Sequence, residues 1–165
     1  MKASRIYIAV CSALAFIFNA CNNRPILQKV DVDEGISHYV MSAGGDKSRL
    51  VGQFCNLLSV VPWNEMVVLA PYTTQQTINT LEIDNLQTVK DALAKVNLDD
   101  EGKCTLIFLQ GKKPIAYSVI SRRPVDMVRP GAGYYKLDYH ECSSLMFEVL
   151  NDGNLKLTSI KPINL

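Results

Sequence analysis

The chain has 165 residues, of which 48% are hydrophobic and 20% charged, with a formal charge of +1. That length supports one ordinary domain with a real core. The near-zero charge excludes an electrostatic case for nucleic-acid binding, which needs a basic face.

Lys2 and Arg5 precede an apolar run from Ile6 to Phe18, and Phe18-Asn19-Ala20-Cys21 closes it with a small residue before a cysteine. This order fits a secretory signal. The run of thirteen residues is too short to span a bilayer, which takes about 20. Asn22-Asn23-Arg24-Pro25 then turns abruptly polar, which argues against a buried helix. The segment resembles bacterial lipoprotein signals, which end in Leu, two small residues and Cys. Ala20 and Cys21 match; Phe18 and Asn19 depart from the pattern. The resemblance implies cleavage after residue 20 and an acyl (palmitate-type) anchor on Cys21. An ordinary secretory signal cut by another peptidase is the alternative. Asn22 stands where Asp holds such proteins at the inner membrane. That implies an outer-membrane, periplasm-facing location in the bacterial cell envelope. Loss of Lys2 and Arg5 takes the formal charge from +1 to −1 and leaves residues 21–165.

Residues 22–45 are polar and Gly-containing and are expected to form a leash with little fixed structure, entering order near Ile36 to Met41. Asp31-x-Asp-x-Gly is a fragment of a calcium loop without its length or closing Glu, so a solvated turn is expected. A single domain over 46–165 then follows. Asp46 is placed to cap a helix, with Leu50, Phe54, Leu57, Leu58 and Val61 at helical spacing and Pro62 ending it. Met66 to Ala70 is a short apolar run, expected as a buried strand. Thr73 and Gln76 have capping-box spacing for a helix over 74–82. Leu86, Val89, Leu93 and Val96 predict a second helix over 84–96.

The remainder predicts antiparallel strands. Cys104 to Gln110 and Pro114 to Ser121 flank Gly111-Lys112-Lys113 as a hairpin. Tyr134 to Tyr139 is an expected edge strand. Leu145 to Leu150 and Leu155 to Ile160 flank Asn151-Asp152-Gly153-Asn154, the clearest turn. The expected fold class is α+β: an antiparallel sheet of about five or six strands with two or three helices on one face.

Trp63-Asn64-Glu65 through Pro71-Tyr72 resembles a motif of small uncharacterised bacterial secreted proteins and lipoproteins: apolar helix, Pro-Trp-Asp, hydrophobic strand, Pro-Tyr. Leu106 to Lys112, Tyr117, Arg122-Arg123-Pro124 and Val125-Asp126 also resemble that group, over roughly residues 45–130. Asn64 stands where the pattern favours Asp. The resemblance implies no activity. Trp63, Tyr72, Arg122, Arg123 and Asp126 are the candidate binding residues it points to. Aromatic rings bracketing a strand suit closure of its ends better than ligand stacking. Arg122 and Asp126, four residues apart, can pair; an exposed pair contributes about 0–1 kcal/mol.

Chemistry is sparse. Gly-x-Ser-x-Gly, His-Glu-x-x-His and Cys-x-x-Cys are absent. Gly44-Gly45-Asp46-Lys47-Ser48 lacks phosphate-loop spacing. Lys112, Lys113, Arg122, Arg123 and Arg129 suit solvated hairpin and loop positions. Cys55, Cys104 and Cys142 allow three pairings that sequence does not choose between, and at least two are expected as buried free thiols. No metal or cofactor is called for. The expectation is a membrane-tethered, non-enzymatic binding domain, of immunity or inhibitor type among others, for a protein or envelope partner. The rivals are a small hydrolase using His140 with Cys142, Asp138 or Glu141, and a structural assembly subunit.

Overall fold

The computed structural model describes residues 25–42, 54–129 and 131–160. The signal segment, Cys21 and the expected cap Asp46 with Leu50 lie outside the described residues. The class is α+β, with two sheets.

The larger sheet is five-stranded and mixed. Its strands are β1 (Gln28–Lys29), β2 (Glu65–Leu69), β3 (Lys103–Gln110), β4 (Lys113–Ser121) and β6 (Tyr134–Asp138), in the order β1-β4-β3-β2-β6. β1 runs parallel to β4; every other pair is antiparallel. The smaller sheet holds β5 (Val125–Asp126), β8 (Leu155–Ile160) and β7 (Leu145–Val149), in the order β5-β8-β7, with β5 parallel to β8. The helices are α1 (Asp33–Ser42), α2 (Gln75–Asn79) and α3 (Leu86–Leu93), with a helical turn at 54–57 and a 3-10 turn at His140–Ser144.

β2 and β3 are apolar along their length, and both of their faces are covered. Apart from its two end residues, all of β3 is buried, as continuous apolar runs require when no face meets water. Met66, Val68, Leu106, Phe108, Ile120 and Leu137 point to one side. There they meet Ile36 of α1, Phe54 and Leu58 of the helical turn, and Leu145 and Leu157 of the small sheet. Val67, Leu69, Ile107 and Leu109 point to the other side, against Ile78 of α2 and Val89 and Leu93 of α3. Register keeps the layers apart: Val67 faces Ile107, and Met66 faces Phe108. A slip of one residue would exchange the two cores.

Three expectations are corrected here. There are two sheets rather than one, because the chain after Ser121 leaves the large sheet and pairs as β5 with β8. Helices cover both faces rather than one, since the burial of β2 and β3 demands a layer on each side. The expected leash is structured within 25–42. Leu27, Val32 and Ile36 are buried, and α1 begins with Asp31 accepting from the Asp33 N–H at 3.0 Å. Asp33 Oδ1 in turn accepts the Ser121 N–H at 2.8 Å, fastening α1 to the end of β4. The first of these acids makes a turn; the second makes a long-range tie.

Smaller shifts have local causes. Thr74, not Thr73, caps α2, its side chain accepting from the Thr77 N–H. The Thr73 hydroxyl instead donates to the Ala70 and Gly133 carbonyls. Asn85 sits at φ +52°, so α3 starts after it.

The cysteine expectation is also overturned. Cys55 and Cys142 form a disulfide with Cα atoms 5.7 Å apart, joining the helical turn to the 3-10 turn before β7. Cys104 alone is a free buried thiol among the described residues. Burial pushes its pKa up to about 12, with the negative charge of Asp126 adding to the effect, so it is scarcely ionised and correspondingly unreactive.

Candidate functional site

A polar cleft of about 550 Å3 opens where the two sheets meet. Such a volume is that of a small-ligand or peptide-sized recess. Three separate pieces of chain build it: the turn at Glu101-Gly102, the end of β4 with Arg122-Arg123, and the β7–β8 turn with Asp152 and Asn154. Backbone bonds hold the pieces in place. The Arg122 N–H donates to the Gly102 carbonyl at 2.8 Å, and the Leu155 N–H to the Pro124 carbonyl at 2.8 Å.

Arg122 is the organising side chain. Its Nε and NH2 donate to the two carboxylate oxygens of Asp126 at 2.9 and 2.6 Å, and its NH1 donates to the Glu101 carbonyl at 2.9 Å. Asp126 Oδ1 also accepts the Val128 N–H at 2.9 Å. The hydrogen bond to Asp126 raises the guanidinium pKa further, so Arg122 stays ionised. The expected pairing of Arg122 with Asp126 is thus present. It is a planar bidentate fork, with side chains 31% and 13% exposed, not a surface contact. Removing the fork by Arg122→Ala is expected to cost about 1–2 kcal/mol in urea unfolding, because Asp126 and the Glu101 carbonyl lose charge-assisted bonds. Arg122→Lys should recover only part, since an ammonium cannot reproduce the fork.

Arg123 differs. Its backbone N–H donates to Ser121 Oγ at 3.2 Å, and the residue is exposed on the cleft rim. The ionisable side chains lining the cleft are Arg122, Arg123, Glu101, Asp126 and Asp152. With Arg122 and Asp126 neutralising each other, one guanidinium faces two carboxylates. That arrangement recognises polar or charged groups by hydrogen bonding. Ser121 lines the cleft beside carboxylates, with no imidazole among the lining residues.

Tyr72 stands beside this region. It is 56% exposed, and its hydroxyl donates to Glu101 Oε1 at 2.9 Å. That bond is the main reason its pKa is raised. Trp63 lies at the opposite end of β2 and is buried. Its Nε1–H donates to the Leu58 carbonyl at 2.9 Å, and its ring meets Tyr139 edge-on at 4.9 Å. The structure therefore gathers Arg122, Arg123 and Asp126, sets Tyr72 near them through Glu101, and leaves Trp63 in the core. Asn64 Oδ1 accepts the Gly111 N–H at 2.7 Å, holding the β3–β4 turn.

Glu101, Asp152 and Asn154 were not among the sequence candidates. The 99–101 acids suit a solvated turn by sequence, and only the chain path shows that Glu101 reaches the cleft. His140 is exposed, with its N–H donating to Asp138 Oδ1 at 2.7 Å. Cys142 is fully buried with its sulfur committed to Cys55. No group of three or more His, Cys, Asp or Glu side chains among the described residues is arranged to hold a metal ion. None of the described helices is long and apolar enough to cross a membrane. Comparison with protein families, curated proteins and solved structures found no match to this chain.

Proposed function

We propose that the chain is an acyl-anchored domain of the bacterial envelope, fixed by Cys21 and facing the periplasm, that binds a protein or envelope component without catalysing a reaction. Its binding surface is the cleft around Arg123, Glu101 and Asp152. The observation that carries the reading is the order Ile6–Phe18, Ala20, Cys21 at the N-terminal end. The Cys55–Cys142 disulfide supports it independently, because such bonds persist in exported, oxidising compartments. A tether raises local concentration, so a polar cleft of modest affinity is sufficient. Kinship with the small secreted proteins that share the Trp63-to-Tyr72 motif belongs to the same proposal.

The hydrolase rival loses its thiol, since Cys142 is half of a disulfide. The assembly-subunit rival called for an apolar patch shared by Trp63 and Tyr72, and these stand at opposite ends of β2, one of them buried. The test is Cys21→Ala. The native chain should take up a palmitate analogue and sediment with membranes; the variant should lose the label and leave the membrane fraction. Unchanged sedimentation of the variant, or a cytosolic chain retaining its initiator methionine, would sink the proposal.

A further inference from the structure

We infer that the face around residues 25–27 docks on the bilayer and binds anionic phospholipid headgroups. This rests on the reading of Cys21 as the acyl anchor and specifies how the domain sits above it.

Pro25, Ile26 and Leu27 run between two shallow clefts. One has Lys95 and Ala92 of the α3 side on its rim. The other has Lys113 and Ile115 of β4. Leu27 turns inward and is buried, whereas Ile26 is 90% exposed. The segment is not free to hide that side chain, because β1 begins at the next residue and pairs with Ala116 and Tyr117 of β4. An isoleucine held in water beside a fixed strand is available to a lipid interface brought close to it.

The surround carries three lysines against the carboxylates of Asp84 and Asp91. Lys95, Lys112 and Lys113 are exposed, and Lys112 is held close by its carbonyl, which accepts the Asp84 N–H at 2.8 Å. The ion pairs among the described residues are Lys103–Asp100 and Arg122–Asp126, so these three ammonium groups are not engaged in one. Asp91 shares the rim of the first cleft and accepts from Gln87 Nε2 at 2.7 Å.

Chain length supplies the occupant. Four residue steps separate Cys21 from Pro25. An extended chain covers at most about 3.6 Å per residue, so the acylated cysteine is within about 14 Å of Pro25. With the acyl chains in the bilayer, this end of the domain is held at the headgroups. The three lysines then lie near the surface, where screening acts over about 8 Å at physiological salt. Each lysine there strengthens residence on an anionic surface by roughly fivefold. Ile26 supplies the apolar contact and the lysines the charge complementarity, the combination that interfacial binding uses.

The test uses the full mature lipoprotein reconstituted into phosphatidylglycerol-containing vesicles and into pure phosphatidylcholine vesicles. A fluorophore is placed on Ile26→Cys, or on Val149→Cys in the distant small sheet, and quenched by spin-labelled lipid. Buried Cys104 stays unlabelled. The expected result is quenching several-fold stronger at position 26 than at 149 on phosphatidylglycerol, weakened by high salt. Combined Lys95→Gln, Lys112→Gln and Lys113→Gln should reduce it toward the level at 149, with the circular dichroism unchanged. Equal quenching at the two positions, or quenching at 26 that ignores headgroup charge, would overturn the docking while leaving the anchor standing. Mass spectrometry of the same sample showing unmodified Cys21 would overturn the anchor and the docking with it.

Discussion

Replacing Cys55 and Cys142 together by alanine is expected to lower the melting temperature by about 10–15 °C, and reductant should do the same to the native chain. The two cysteines are 87 residues apart, and closing so long a loop removes much of the entropy of the unfolded state. In the chain-entropy description the stabilisation is about 3–5 kcal/mol, and each kcal/mol moves a domain of this size by roughly 3–4 °C. The bond reinforces an apolar junction between the helical turn at 54–57 and the start of the small sheet, where the Phe54 ring meets Phe147 edge-on at 5.5 Å. Calorimetry with and without reductant checks it. Superimposable traces would mean that apolar packing around Leu58, Leu145 and Leu157 suffices to hold the small sheet.

Trp63→Ala is expected to destabilise by about 3–5 kcal/mol, the range for truncating a buried indole. The ring packs against Phe108 and Tyr139, and its N–H satisfies the Leu58 carbonyl. Trp63→Phe keeps most of the packing and orphans that carbonyl, so about 1–2 kcal/mol is expected. Urea unfolding of the two variants separates core closure from ligand stacking. A stacking residue would lose binding while keeping stability; Trp63 should lose stability first. A Trp63→Ala variant as stable as the native chain would overturn the assignment.

Much of the fold was legible because apolar runs and turn residues act locally. Met66 to Leu69, the strands either side of Gly111, and those either side of Asn151-Asp152-Gly153-Asn154 could be placed within a residue or two. β1 and β5 could not, since each is two residues long and parallel to a distant strand. Their existence is a fact of pairing, not of periodicity. α1 was hidden by its polar surroundings, although Val32 and Ile36 stand four apart on one face; its burial becomes evident only once β4 is beside it. The division into two sheets depended on where the chain goes after Ser121. Of the candidate site, the Arg122–Asp126 fork was readable because its members are near neighbours. Glu101 and Asp152 were not, because each belongs to a turn whose polarity alone suggests exposure. Three thiols could not declare their pairing, which the approach of two separate turns decides.

The covalent link between Cys55 and Cys142 has a topological consequence. Every backbone bond between those positions, including the long connection from Arg122 to Gly133, lies inside a closed ring. A single protease cut there opens the ring but releases nothing: both fragments travel together until a thiol reagent separates them.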